Sequence, residues 1–405
     1  MSMCTFGYIN AYGVYQAYYV QTLLPSYSPS AISCIGSLQT CLLFLCGLVT
    51  GRLFDAGYFR PMMIGGGVLV VGCIFAQSAV QVDGYYQVFL SQAIGQGVGL
   101  GIVYLPSLAV LGQHFQKHRS TATGVAVAGS SFGGIVFPIL LNNVFQSRGF
   151  QWSVRAMGFF QLGAMIIANL LMSTNYNPYQ KAMKPPSPLK LLRDIPCRCG
   201  GWNVDNRSRT LLHLFVTVLG VLCKYLRQAS VFYIQLYAET VGISDTVAFY
   251  TLAIINAVSI FGRTLPNLLA DKFGPLTVLI PCSVIAGTLV FTLLGVKNVA
   301  GLVIVCIMYS FWSGAYVSLA GPMFASMADN LSEIGLRMGL AFVFLGFSAL
   351  IGTPIDGALL GEEGPSTLGG KLFFLAGQRK VTMLAGCGLL VVGWSLLRKK
   401  NKRWV

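Results

Sequence analysis

Three basic residues inside long apolar stretches are the positions at which this sequence is best equipped for chemistry. Lys224 and Arg227 are three residues apart and therefore share one face of a helix, and Arg263 stands in the next apolar stretch. A charge at the centre of a membrane costs about 2.5 to 3.5 kcal/mol even on the mildest scale. A guanidinium can hold a carboxylate by paired hydrogen bonds. The pattern predicts a site for a small anionic ligand.

Each of these cations also has a purely structural interpretation, which stays open at this point. Arg263 could anchor its helix at the inner membrane face, with the charged end reaching toward water. Lys224 and Arg227 could contact lipid head groups in the same manner. The ligand-site hypothesis requires side chains that point into the protein rather than toward lipid.

Four further residues inside apolar stretches are polar or half-polar and are predicted to line the same cavity: Asn10, Tyr104, Asn256 and Tyr309. An aromatic residue in a membrane helix is more often a packing or interface residue than a ligand contact, so this alternative stays open for the tyrosines. Together with the three cations, these residues form the predicted substrate site.

The composition indicates whether the fold that positions these residues is surrounded by water or by lipid. The chain has 405 residues, of which 55% are hydrophobic and 10% are charged. Soluble domains carry about 25% charged residues. Apolar stretches of about 20 residues, the length that crosses the hydrocarbon core of a bilayer, recur from end to end. The chain is therefore predicted to be an all-α membrane protein surrounded by a lipid bilayer.

The apolar stretches predict twelve transmembrane helices in two six-helix halves. The first half, 1–172, contains spans at 3–24, 31–51, 61–82, 86–111, 120–142 and 151–172. The second half, 211–397, contains spans at 211–237, 246–270, 275–296, 300–325, 337–360 and 381–397. A polar, proline-containing segment, 173–210, is predicted to be a cytoplasmic linker between them, and 398–405 a basic cytoplasmic tail.

The net charge of +15 is explained by membrane orientation. Basic residues concentrate in the linker, in the tail and in loops that would share their side of the membrane, as the positive-inside rule requires. They are not interleaved with aromatic residues on a soluble surface, so a nucleic-acid partner is not expected. The asymmetry predicts that both termini are cytoplasmic, and the expected location is the plasma membrane.

Two short loops at matching places in the halves have related sequences. The first is Gly51-Arg-Leu-Phe-Asp55-Ala-Gly57-Tyr-Phe-Arg60, and the second contains Asp271-Lys272-Phe-Gly274. Both resemble the G-x-x-x-D-[RK]-x-G-[RK] loop of the major facilitator superfamily, the second in weaker form. Glycine permits a tight turn, and an aspartate beside a helix N-terminus can hold helix ends together. We expect an inner gate, or alternatively charged loops that only fix topology, at Gly51, Asp55, Arg60, Asp271 and Lys272.

Longer segments resemble the fungal monocarboxylate-permease-like branch of that superfamily. They include Tyr104-Leu-Pro-Ser-Leu-Ala-Val110, Gly129-Ser-Ser-Phe-Gly-Gly134, Gly262-Arg263 and Leu269-Ala-Asp-Lys-Phe-Gly-Pro275. The resemblance implies a twelve-helix major facilitator fold that works by alternating access. It also implies substrates such as monocarboxylates, riboflavin-like compounds or secondary metabolites.

The segment Ser259-Ile-Phe-Gly-Arg263 is similar to one in animal monocarboxylate transporters, which have an aspartate where this chain has Ser259. The arginine carries over, whereas its acidic partner does not. The resemblance therefore implies that Arg263 contacts the substrate anion with Ser259 beside it. It also argues against proton coupling by this pair, although proton coupling by other groups stays open.

These features predict a secondary active transporter of a small organic anion, monocarboxylate-like, or of a related metabolite. The alternative is a major facilitator exporter of a secondary metabolite or drug. An enzyme is not expected, because the histidines lie near the inner ends of predicted spans without an acidic or serine partner. The sequence contains no ATP-binding or cofactor motif and no metal-ligand cluster, so no cofactor is expected. The protein is expected to act as a monomer.

Overall fold

The fold is described by a computed structural model over residues 1–115, 117–174, 245–292 and 299–326, together with several residues between 338 and 350. Every regular element in these ranges is a helix. Seven of them are long and apolar enough to cross a membrane, in agreement with the predicted all-α membrane class. The predicted linker beyond residue 174, the seventh and twelfth predicted spans and the tail lie outside the described residues.

The first helix, α1, covers residues 3–23 and winds irregularly. It has π-helical turns at Met3–Gly7 and Tyr19–Leu23, and α-helical turns at Tyr8–Asn10 and Tyr12–Tyr18 lie between them. A π-turn closes its hydrogen bonds five residues apart instead of four, which shifts the face on which the following side chains lie. The apolar run at 3–24 predicted the extent of this helix but not its irregular winding.

The next three helices agree with the predicted spans apart from a few residues at their ends. Helix α2 consists of Pro29–Leu45 and Gly47–Asp55, which meet at Cys46. Helix α3 is Phe59–Gln77. Helix α4 covers Tyr85–His114 and contains a π-helical stretch at Phe89–Gln96.

Helices α5, Arg119–Phe145, and α6, Ser147–Leu171, follow one another directly, and the chain turns sharply at Gly149 near the start of α6. The backbone of Gly149 has φ 76° and ψ −179°, a combination that is open almost only to glycine. The turn lies between the fifth and sixth predicted spans, where the sequence predicted a break.

Replacement of Gly149 by alanine is expected to destabilise the protein although the added methyl group has space. Nothing lies within 4 Å of a Cβ built at Gly149, so the cost is backbone strain, about 1–3 kcal/mol. Thermal unfolding in detergent should show a lower midpoint for Gly149→Ala than for Gly65→Ala. Gly65 in α3 is a matched control, because its Cβ also meets nothing within 4 Å and its backbone is helical. Equal midpoints would contradict the strain argument.

Three helices of the second half are described: α7, Asp245–Phe273; α8, Pro275–Thr292; and α9, Val299–Ser326. They correspond to the eighth, ninth and tenth predicted spans. The turn from α7 to α8 contains Gly274 at φ 85°, and the turn from α2 to α3 contains Gly57 at φ 92°. The two loops that are related in sequence therefore also share a left-handed glycine.

Helix α5 connects the two halves, since it packs against α1 on one side and against α7 and α9 on the other. Its backbone approaches α1 closely, because a Cβ at Gly7 would lie 2.9 Å from the Cα of Gly133. Small residues allow membrane helices to approach in this way. The outer surface of the bundle, away from these helix contacts, is apolar. Val68 of α3 and Leu170 of α6, for example, are 69% and 78% exposed.

Candidate functional site

The candidate site lies where α5 of the first half meets α7 of the second. Two glycines of α5 permit this approach. A Cβ at Gly124 would lie 2.5 Å from the carbonyl oxygen of Arg263, and a Cβ at Gly134 would lie 2.8 Å from Oδ1 of Asn256. The helices are therefore in close contact over the part of α5 that faces the predicted cation of α7.

Arg263 is fully buried in this contact. Its NH1 group donates a hydrogen bond of 2.8 Å to the carbonyl oxygen of Val127 and a second one to the hydroxyl of Ser130. Both acceptors belong to α5. A cation of one half is thus bonded to the backbone and a side chain of the other, rather than reaching outward to the membrane surface.

Two of the predicted cavity residues meet beside the same segment of α5. Asn10 of α1 donates to the carbonyl oxygen of Ser130 at 3.4 Å, and Asn256 of α7 donates to that of Gly134 at 3.4 Å. A Cβ at Gly134 would lie 3.2 Å from Nδ2 of Asn10 as well as close to Asn256. The structure therefore brings Asn10, Asn256 and Arg263 together around one stretch of α5.

Ser259 of α7 faces α9, the helix to which Tyr309 belongs. Ser259 is buried, and its hydroxyl has no hydrogen-bond partner among the residues described. A Cβ at Gly314 would lie 2.7 Å from that hydroxyl, so α9 covers it closely. Tyr309 is also buried, and the neighbouring Ser310 hydroxyl donates to the carbonyl oxygen of Ile255.

Tyr104 belongs to an aromatic cluster that also joins the halves. Its ring lies 5.7 Å from that of Phe6, 6.2 Å from that of Phe44 and 6.0 Å from that of Phe342, which lies in the eleventh predicted span. This cluster offers a flat apolar wall rather than a hydrogen-bonding centre. Lys224 and Arg227, the other predicted substrate residues, lie outside the described part of the chain.

The predicted gate residue Asp271 joins α7 to the start of α5 at the face expected to be cytoplasmic. Its carboxylate accepts hydrogen bonds from the amide of Ser120 at 2.8 Å and from the amide and hydroxyl of Thr121 at 3.0 and 2.5 Å. The first amides of a helix have no acceptor within the helix, and the helix dipole favours an anion there. Asp271 at the end of α7 thus caps α5, and the Nδ1 atom of His118 lies 3.9 Å from it.

The other gate residues surround the two related turns. Gly51 is buried in α2, Asp55 is the last residue of that helix and is partly buried, and Arg60 and Lys272 are exposed. The sequence predicted an aspartate beside a helix N-terminus. It did not predict that for Asp271 this N-terminus would be that of α5, about 150 residues away in the chain.

Replacement of Asp271 by asparagine is expected to slow transport several-fold without unfolding the protein. The amide keeps the shape but loses the charge and one acceptor, and a helix cap contributes about 0.5–2 kcal/mol. Transport rates should be compared at equal surface expression. Asp83→Asn is the control, because Asp83 is outside the gate and its carboxylate accepts from an exposed serine, Ser26. An Asp271→Asn rate equal to that of the control would reduce Asp271 to a topology residue.

Several residues of the site were missed by sequence reasoning. Ser130 supplies the acceptor for Arg263, and Asn267 joins α7 to α9 by donating to the Ser318 hydroxyl at 2.6 Å. Ser130 stands in the segment Gly129-Ser-Ser-Phe-Gly-Gly134, whose sequence indicated only the family resemblance. Its two serines were the available signal, because a polar side chain is costly in an apolar stretch unless it is paired.

Comparison with known proteins identifies the family of this chain. The family model described as Major Facilitator Superfamily matches residues 1–353. The chain belongs to the major facilitator superfamily. It is 37% identical over 362 residues to the aspyridones efflux protein of Emericella nidulans, and this match covers 89% of this chain and 70% of that protein. It is 34% identical over 380 residues to the agnestins efflux protein of Paecilomyces divaricatus, covering 93% and 83%.

Solved structures of major facilitator proteins have the same fold. The human organic anion transporter MFSD10 matches with a TM-score of 0.71 and 16% identity, over 96% of this chain and 89% of that one. FucP in the outward conformation matches with a TM-score of 0.64 and 16% identity, over 98% and 97%. The predicted fold class is confirmed, and the chain is an integral membrane transporter rather than an enzyme.

The relatives do not support the narrower prediction of branch and substrate. Those named above are efflux proteins, and monocarboxylate specificity finds no support among them. The alternative predicted from the sequence, export by a major facilitator protein, is better supported than the main one.

Proposed function

We propose that this chain is a secondary active exporter of a small organic acid of the secondary-metabolite type, and that Arg263 contacts the acid group. The observation that carries the proposal is the fully buried guanidinium of α7, which donates to Val127 and Ser130 of α5. The direction of transport is inferred from the efflux described for the relatives of Emericella nidulans and Paecilomyces divaricatus.

The bonds of Arg263 suggest how substrate binding is linked to opening. When the inner face opens, α5 and α7 must separate, so Arg263 must leave Val127 and Ser130. A buried guanidinium without acceptors costs several kcal/mol. A carboxylate presents two oxygens in the geometry that the guanidinium fork prefers, so a bound acid would replace the lost acceptors. Opening of the loaded protein would thereby be favoured over opening of the empty one.

The surrounding residues fit the remainder of such a molecule. Asn10 and Asn256 carry neutral amides that can donate and accept hydrogen bonds beside Gly134. The aromatic cluster around Tyr104 can pack against an apolar or aromatic body. Lys224, Arg227, Ser259 and Tyr309 remain proposed contacts, and the energy source is proposed to be an ion or solute gradient, with proton coupling as one case.

The proposal can be tested with purified protein in liposomes under an imposed pH gradient. Aspyridones, agnestins and an aromatic carboxylic acid paired with its methyl ester would serve as probes. The acid should be transported across the membrane, away from the cytoplasmic face of the protein, at least about tenfold faster than the ester. The reason is that a charge-assisted hydrogen bond contributes about 1.5–3 kcal/mol. Equal rates for acid and ester would overturn the anionic substrate. Net transport toward the cytoplasmic side alone would instead favour monocarboxylate uptake.

A further inference from the structure

A buried network of glutamines occupies the centre of the first half. Gln39 of α2, Gln77 of α3, and Gln92 and Gln96 of α4 are all fully buried. Gln39 donates to Gln96 at 3.2 Å, and Gln96 donates to Gln77 at 2.7 Å. Such polar groups are costly in a membrane protein unless they are paired, so their clustering requires an explanation beyond packing.

Gln77 is the centre of this network and uses its full hydrogen-bonding capacity. Its carbonyl oxygen accepts from Gln96 and from the hydroxyl of Tyr8 at 3.3 Å. Its amide donates to Tyr19 at 2.5 Å and to Gln92 at 3.2 Å. Tyr19 in turn donates to Gln92 at 2.6 Å. Two of the four partners belong to α1, so the network fastens α1 to α3 and α4.

The attachment points of the network coincide with irregular winding. Tyr19 is the first residue of the π-turn Tyr19–Leu23, and Gln92 and Gln96 lie in the π-helical stretch Phe89–Gln96. A π-turn changes the direction in which later side chains point. Regular helix geometry therefore does not determine how α1 is rotated about its axis, and the hydrogen bonds to Gln77 supply that information.

The rotation of α1 affects the candidate site directly. Asn10 follows Tyr8 by two residues, donates to the carbonyl oxygen of Ser130 and lies with Asn256 beside Gly134. In a helix of 3.6 residues per turn, two residues are about 200° apart. Tyr8 and Asn10 therefore lie on nearly opposite faces, and a roll of α1 that moves one moves the other.

We infer that Gln77 is a positioning residue, which holds α1 through Tyr8 and Tyr19 in the rotation that places Asn10 beside Asn256. This inference deepens the proposed function and rests on it in treating Asn10 as part of the substrate path. The placement itself is a structural statement, and it can be measured without any substrate.

The test is cross-linking between two introduced cysteines, Asn10→Cys and Asn256→Cys, in a variant whose eleven native cysteines are replaced. Addition of Gln77→Leu should lower the yield with a short, membrane-permeant thiol cross-linker at least about threefold. Asn267→Cys with Ser318→Cys is the control pair, because those side chains are 2.6 Å apart within the second half. Its yield should not change. Gln113→Leu, in α4 but outside the network, should change neither pair.

Two outcomes would overturn the inference: an unchanged yield at residues 10 and 256, or an equal loss at both pairs, which would assign the network to general stability. If Gln77→Leu does not give a folded protein, Tyr19→Phe removes one hydroxyl and should produce the same pattern to a smaller extent. Because cross-linking needs no substrate, its result is independent of whether the chain exports organic acids. Conversely, failure to transport acids would leave the cross-linking result intact.

Discussion

Arg263→Ala is expected to reduce transport at least about 30-fold while the protein still inserts into the membrane. Removal of one partner from a buried, hydrogen-bonded charge pair costs about 2 kcal/mol or more, and 1.4 kcal/mol corresponds to a factor of ten. Arg263→Lys should have a smaller effect, because lysine keeps the charge but loses the planar fork that holds a carboxylate from two sides. The measurement is the initial rate of acid export from proteoliposomes, normalised to the amount of inserted protein.

Ser130→Ala is the variant that separates substrate binding from a purely structural role of Arg263. The Ser130 hydroxyl is one of the acceptors of Arg263 in this structure. If the arginine also binds the substrate, loss of this competing acceptor should lower the apparent KM for the acid several-fold. If Arg263 only holds α5 against α7, Ser130→Ala should instead resemble a mild form of Arg263→Ala. Wild-type transport by Arg263→Ala would show that the assignment of this site is wrong.

Gly124→Ala is expected to lower transport about tenfold by preventing closure of the inner face. The new Cβ would meet the carbonyl oxygen of Arg263 at 2.5 Å and the side chain of Asn267 at 2.9 Å. One of these atoms belongs to the backbone, so relief requires α5 and α7 to move apart. Overpacking of this kind costs about 1–3 kcal/mol, which is sufficient to shift a conformational equilibrium tenfold.

The displaced equilibrium should be visible as increased access from the cytoplasmic side. A cysteine introduced by Ser318→Cys, at a position that is fully buried in this structure, should react faster with an impermeant thiol reagent in inside-out vesicles when Gly124→Ala is present. Gly65→Ala is the matched control, because the same substitution there meets nothing within 4 Å. Equal reaction rates in the two variants would mean that the close contact at Gly124 does not limit closure.

Much of the fold could be predicted because the hydrophobicity of successive residues is enough to locate a membrane helix. A run of about 20 apolar residues is visible without knowledge of its neighbours. The turn at Gly149 lies in the gap between two predicted spans, and the related loops around Asp55 and Asp271 were found from their short motifs. Arg263, Asn10 and Asn256 were recognised as unusual because each polar group is costly in its apolar stretch.

The remaining features depend on contacts between residues that are distant in the chain. Gln77 and Tyr19 are separated by 58 residues, and neither carries a charge that would mark it in an apolar run. The acceptor of the Ser120 amide is Asp271, 151 residues away. The π-turns of α1 also had no local signal in the sequence; the second one begins at Tyr19, whose hydroxyl bonds to glutamines of other helices.

Because Asp271 caps α5, hydrogen–deuterium exchange at the capped amides is expected to report opening of the inner face. The amides of Ser120 and Thr121 lie in the first turn of their helix, where no intrahelical acceptor exists, and both donate to a carboxylate of the opposite half. Their protection from hydrogen–deuterium exchange must therefore come from the closed inner face. Exchange at these two positions requires the Asp271 carboxylate to leave the amides, so deuterium uptake in this peptide is expected to rise when the halves of the unlabelled transporter separate.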